Sequence, residues 1–132
     1  MALDVHVVTP EREVWQGEAS LLIARGTEGE VGIMSGHAPM LIRLAVGPLR
    51  IQTAGGDQTA VVDGGFMHVT STGEATRVDV LASQAELASD IDAEAARRRK
   101  EGAEARLRDN SDDEDSKNEL AKAETRLGVL GS

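Results

Sequence analysis

The sequence predicts a mainly β protein with a helical appendage: an N-terminal β-sandwich of about eight to ten strands, then a C-terminal antiparallel two-helix hairpin. Three observations lead there. Most of the glycines and all three prolines lie before residue 85, between short β-branched runs, which is the punctuation of an all-β domain. Leu3, Val5 and Val7 alternate with Asp4 and His6, as a half-buried strand requires. From Ser89 onward proline is absent, Ala and charged residues dominate, and the apolar period becomes helical.

In chain order, the first strand covers Leu3 to Val7 and ends before Pro10. Further runs follow at Leu21 to Ala24, Met40 to Leu44, Leu49 to Thr53, Thr59 to Val62, Phe66 to Thr70 and Thr76 to Leu81. Gly55-Gly56 and Gly64-Gly65 separate neighbouring runs at distances that suit hairpins. Gly26, Gly29, Gly32 and Gly36 read as tight turns that need positive φ. Ser89 is placed to cap the first helix, with Asp90 and Asp92 favourable in its positive first turn. Ser111 and Glu114 form an S-x-x-E capping box for the second, along which Leu120, Ala123, Leu127 and Leu130 recur at helical spacing. The first helix offers only Ile91, Ala95, Gly102, Ala103 and Leu107, so the hairpin alone is expected to be marginal. The division falls into a sandwich at 1–84 and a helical part at 85–132.

Composition narrows the function. One Trp, one Phe and no Tyr leave no stacking platform for single-stranded nucleic acid, and a formal net charge of -9 repels phosphate backbones and anionic lipid. The absence of Cys rules out disulfides and thiolate metal sites. No apolar run approaches the ~20 residues of a membrane span, so membrane association is expected only through a partner. His6, His37 and His68 lack metal-ligand spacing, the P-loop pattern is missing, and Ser35-Gly36-His37 reads as a turn rather than a nucleophile with its base. Carboxylate pairs drawn among Asp63, Glu74 and Asp79 carry no weight as an acid/base dyad. A β domain of this kind is expected to bind or regulate, with no cofactor. The basic block Arg97, Arg98, Arg99 and Lys100 reads as a solvated face or as a grip on an acidic partner.

GEVGIMSGHAP (29 to 39), VGPLRI (46 to 51) and VDGGF (62 to 66) are similar, in order and spacing, to the pattern of the epsilon subunits of bacterial F-type ATP synthases. PEREVWQGEA (10 to 19) and NELAKAETRL (118 to 127) extend the resemblance over almost the whole chain. It implies a non-catalytic rotor subunit of the central stalk, bound to gamma and seated on the c-ring, peripheral on the cytoplasmic face of the bacterial plasma membrane by way of the Fo sector. It also implies a turn holding Glu30, Ser35 and His37 that faces the c-ring, with Glu30 at a position that meets the c subunit. Helices that extend toward alpha and beta would inhibit hydrolysis, with Arg97, Arg98, Arg99 and Lys100 open to contact with beta. Some members bind ATP through I/L-D-x-x-R-A. IDAEAA (91 to 96) keeps Ile91, Asp92 and Ala96 but has Ala95 in place of the arginine, leaving Glu86, Asp92 and Arg99 as residues for a weak regulatory ATP. Alternatives from other classes are a free-standing ATP-sensing module and a small hydrolase using His37.

Overall fold

The computed structural model describes residues 2–73 and 75–131. Among the described residues eight strands precede the helices: β1 (Leu3–Val8), β2 (Glu13–Ala19), β3 (Leu21–Gly26), β4 (Gly29–Ile33), β5 (Met40–Thr53), β6 (Gly56–Thr72), β7 (Ala75–Ala82) and β8 (Ala85–Leu87). They form one hydrogen-bonded path, β2-β1-β7-β6-β5-β3-β4, with β8 on β6. All pairs are antiparallel except β1 with β7.

The path folds into two layers because β5 and β6 are long enough to serve both. Residues 40–44 of β5 pair with 65–69 of β6, which pair in turn with β7; residues 46–53 of β5 pair with 56–63 of β6 and with β3. The first layer is therefore β2, β1, β7 and the far ends of the β5/β6 ribbon. The second is β4, β3, the near ends of that ribbon and β8. Four of the runs read from sequence as separate strands are thus the halves of two.

Gly64-Gly65, expected to mark a hairpin, is instead the bend in β6 where it changes layer, with φ of +91° and +124°. Gly55-Gly56 does lie at the β5/β6 hairpin. Of the four glycines read as positive-φ turns, only Gly29 and Gly36 are so. Gly26 and Gly32 are ordinary strand residues, and 29–33 is the edge strand β4.

Between the layers lies an aliphatic core that includes Leu3, Val5, Val7, Leu22, Ile33, Leu49, Ile51, Met67, Val69 and Val78, all fully buried. Val61 is equally buried yet stands outside that cluster. Its side of β6 faces away from the core and is covered by the helical hairpin.

Helix α1 spans Ala93–Asp109 and α2 spans Glu114–Val129. Neither begins at the expected cap. Residues 88–90 form a short 3-10 turn, and α1 is capped by Asp92, whose carboxylate accepts from the Ala95 amide at 3.1 Å. At α2, Asp113 displaces Ser111 and Glu114 because its carboxylate takes both the amide (3.3 Å) and the hydroxyl (2.8 Å) of Ser116. The helices meet through small residues, Ala96 and Ala103 on one and Ser116 and Ala123 on the other. Leu107, Leu120 and Leu127 are only half-buried and Leu130 is exposed, so the expected thin apolar face is present. Helix α2 lies on β5 and β6, and α1 packs chiefly on α2.

Candidate functional site

Among the described residues a buried cation, Arg126, fastens the hairpin to the sandwich. Arg126 is on the α2 face that meets β6, one residue before Leu127 of the apolar stripe. Its Nη1 and Nη2 donate to Oδ1 and Oδ2 of Asp63, each at 2.9 Å, and its Nε donates to Oε1 of Glu86 at 3.1 Å. The Arg126 and Asp63 side chains are 6% and 1% exposed. A fourth bond, to the Lys122 carbonyl at 3.1 Å, holds the guanidinium against its own helix.

Register explains the convergence. Asp63 is the last residue of β6 before the glycine bend, and Val61 pairs with Glu86 of β8, so both carboxylates share the outer face of the second layer. Burial disfavours the Arg126 charge, but the hydrogen bonds and charges of Asp63 and Glu86 outweigh it and hold its pKa above the ordinary arginine value. The group is permanently cationic, and undocking α2 would leave a carboxylate that has lost its partner.

Two further pairs join the helices to each other. Arg99 donates to Glu119 Oε2 at 2.9 and 3.3 Å, and Arg106 Nε donates to Ser116 Oγ at 2.9 Å. The hydrogen bond from Arg99 holds the Glu119 carboxyl below its ordinary pKa, against opposing desolvation. A carboxylate depressed by folding stabilises above its unfolded pKa and ceases to do so as pH falls through the folded one. Hydrogen exchange in α1 and α2 is therefore expected to accelerate as pH drops below about 4.5, ahead of exchange in β6 and β7 once intrinsic rates are corrected. Equal acceleration in both parts would count against the pair.

The basic block is not a single surface. Arg97 pairs with Glu94 one turn back, Arg98 is exposed, Arg99 is committed to Glu119, and Lys100 lines a groove with Leu127 and Leu130. Successive helical residues point about 100° apart, so four in a row cannot share one face.

Glu86 and Arg99 line one cleft of about 320 Å³ together with Arg12 and Arg126, while Asp92 is absent from its walls and caps α1. Ser35 and His37 sit in a turn tied to the first layer: the Gly36 amide donates to Thr76 Oγ1 at 2.8 Å and Ser71 Oγ donates to the His37 carbonyl at 2.9 Å. His37 Nδ1 lies 2.8 Å from the Ala38 carbonyl and Ser35 Oγ is buried with no hydrogen-bond partner among the described residues, so the two do not form a nucleophile and base. Glu30 is outside this turn. It is the second residue of β4, exposed, and lines a separate cleft with Leu41 and Arg43. Asp63 and Asp79 are each paired with an arginine, and Glu74 lies outside the described residues. Among the described residues no cluster of three or more metal-ligating side chains occurs, and no helix is long and apolar enough to cross a membrane.

The Arg126 latch escaped sequence reading because its partners lie 63 and 40 residues away. The available signal was an arginine inside an apolar helical stripe and an aspartate ending the buried run AVVD.

The class of protein these elements define is a β-sandwich with a helical hairpin latched to its outer face. A family model described as "ATP synthase, Delta/Epsilon chain, beta-sandwich domain" matches residues 2–88. Similar chains named ATP synthase epsilon chain occur in Thermobifida fusca, 44% identical over 128 residues (95% of this chain, 89% of the relative), and in Synechocystis, 39% identical over 137 residues (99% and 98%). Among solved structures, a chain of the Euglena gracilis mitochondrial ATP synthase, OSCP/F1/c-ring in rotational state 1, superposes with a TM-score of 0.81 at 27% identity, covering 98% of this chain and 82% of that one. A chain of the Tetrahymena thermophila central stalk/c-ring shares the fold, with a TM-score of 0.57 at 16% identity, covering 99% of this chain and 98% of that one. The chain belongs to the ATP synthase epsilon chain family, and the role of that family is non-catalytic.

Proposed function

We propose that this chain is a rotor subunit of the central stalk, in which the sandwich (1–84) couples gamma to the c-ring and the hairpin (85–132) restrains ATP hydrolysis by alpha and beta. The observation that carries the reading is the latch. A helix pair with little apolar area, fastened to the sandwich by Arg126, Asp63 and Glu86, is built to come off as a unit.

The outer face of the first layer suits gamma. Leu41, Phe66 and Leu81, 64%, 43% and 50% exposed, lie there, and Arg43 stacks 5.7 Å above the Phe66 ring, an apolar strip with a cationic rim. The turn carrying Ser35, His37 and the exposed Met34 is stiffened by Ser71 and Thr76, which suits a fixed seat on the c-ring, and Glu30 would meet the c subunit from the separate cleft it shares with Leu41 and Arg43. Arg98 and Lys100, and Arg97 after release from Glu94, are the cations free to meet beta; Arg99 joins them only if the Glu119 pair breaks. In this role the chain is peripheral, on the cytoplasmic face of the membrane.

In the reassembled complex, a chain lacking 89–132 is expected to raise the ATPase rate, by roughly 5-fold or more for a typical coupling energy. An unchanged rate removes the inhibitory role, and a pull-down without gamma removes the stalk assignment.

A second reading, an ATP-sensing module, is favoured by the convergence of Arg12, Arg99 and Arg126 on the cleft beside Glu86. ATP there would have to compete with Asp63 and Glu119 for guanidinium groups already paired, and Ala95 supplies no cation. Calorimetry on the free chain at millimolar ATP distinguishes the two.

A further inference from the structure

On the opposite flank of α2 from the Glu86 cleft lies a larger one, of about 600 Å³, between the helix and the outer face of the second layer. The sandwich contributes Arg25, Arg50 and Thr59 to its walls, and α2 contributes Glu124, Thr125 and Gly128. We propose that this cleft binds a small organic phosphate, with the phosphoryl group on Arg25 and Arg50 and a ligand hydroxyl or amine on Glu124.

Four features support this. Arg77, Arg97, Arg99 and Arg126 are held by carboxylates, and Arg106 by a hydroxyl. Among the described residues the side chains of Arg25 and Arg50, like those of Arg12, Arg98 and Arg108, have no hydrogen bond or ion pair although the chain is strongly acidic, and these two converge on one cleft. Planar guanidinium forks match phosphoryl oxygens, and a pair of them provides charge and direction together.

Arg25 is also positioned from beneath. A Cβ on Gly47 would stand 2.9 Å from Arg25 Cδ and 3.1 Å from its Nε, so the side chain runs across a strand position that only glycine leaves open. On the facing wall, a helix-interior glycine is unfavourable for α2, and a Cβ on Gly128 would meet nothing within 4 Å. The two glycines shape one side and keep the other clear. The volume lies within the range of small-molecule sites.

Glu124 sets the selectivity. It opposes a bare anion, so the preferred ligand places a donor beside the phosphate, as a sugar phosphate does. Because the walls come from both the sandwich and α2, such a ligand binds only when the hairpin is docked and must therefore favour docking. The binding itself is independent of any role in the assembled complex.

Amide chemical shifts of the full chain, titrated with ribose 5-phosphate, inorganic phosphate and ATP in turn, test the proposal. Ribose 5-phosphate is expected to move Arg25, Arg50, Thr59 and Gly128, to bind more tightly than inorganic phosphate, and to slow hydrogen exchange in α2. The double variant Arg25→Gln with Arg50→Gln, both exposed residues, should weaken binding about 10-fold or more. Glu124→Gln should narrow the gap between the sugar phosphate and inorganic phosphate. No shift up to about 10 mM, where even a site of 4 kcal/mol would fill, overturns the proposal. So does binding unchanged in the arginine variant. Shifts confined to Glu86, Arg99 and their neighbours would assign the anion to the other cleft and likewise overturn it. A chain that retains gamma but ignores ribose 5-phosphate fails here alone.

Discussion

Replacing Arg126 with alanine is expected to undock the hairpin while leaving the sandwich folded. The substitution removes the only cation hydrogen-bonded to Asp63 among the described residues, and Asp63 is 1% exposed. Truncating one partner of a buried ion pair costs about 3–5 kcal/mol, because the remaining charge is stranded in a poor solvent. The apolar contacts of α2 are thin, centred on Ala123 and half-buried leucines, and cannot offset that loss. Water reaches Asp63 only if the helix leaves. Hydrogen exchange should therefore lose protection across 93–129 while 60–69 stays protected. Arg126→Lys should recover only part of the docking, since one ammonium cannot serve both carboxylate oxygens in the plane of the fork. The double replacement of Asp63 by Leu and Arg126 by Met should stay within about 2 kcal/mol of the parent, because the buried Asp63 charge goes with its partner and Glu86, which also loses Arg126, is partly exposed to water. If Arg126→Ala leaves the protection pattern intact, the latch is not what fastens the hairpin.

A loss of comparable size, in a different part of the molecule, is expected from Gly65→Ala. The backbone there has φ +124°, and a Cβ would stand 2.2 Å from the Leu81 carbonyl oxygen and 2.8 Å from the Ala82 Cα. Neither neighbour is a flexible side-chain tip. Both are backbone of β7, to which β6 is hydrogen-bonded at this point. The conformation alone costs about 1–3 kcal/mol for an L side chain, and the collision adds to it. A drop of at least about 3 kcal/mol in unfolding free energy, read from the urea midpoint, is the expected outcome. Gly32→Ala is the control: its φ is not positive, the nearest atom is Leu21 Cδ1 at 3.8 Å, and a change within about 0.5 kcal/mol should follow. Similar midpoints for the two variants would refute the steric account of the bend.

These two positions also mark where sequence reading stopped. Period-2 alternation revealed β1 because one side of it faces the core, and the β-branched and apolar runs revealed β7 and the halves of β5 and β6. Alternation does not register a strand that passes from one layer to the other, and Gly64-Gly65 carried the same signal as a loop. Glycine-rich β4 and three-residue β8 lack the β-branched density that marks a strand, and are held by pairing with β3 and β6. Helix type and number followed from composition, but several Ser and Asp residues competed for each cap and geometry chose Asp92 and Asp113. Of the site, the basic block was visible as a run, yet its division among Glu94, Glu119 and solvent depends on helical angle and on the partner helix. The latch joins residues on β6, β8 and α2, a relation that local pattern does not contain.

The passage of β5 and β6 through both layers bears on how the sandwich carries load. In a sandwich whose faces touch only through side chains, a twist applied to one face is resisted by dispersion forces that yield and slip. Here two covalent strands, paired with each other at every β5 position from Met40 to Thr53 except Ala45, leave one face and enter the other. Were a partner to grip Leu41 and Phe66, as proposed for gamma, a torque applied there would be delivered to the face beneath α2 by peptide backbone, and the body would turn as a stiff key rather than shear between its plates.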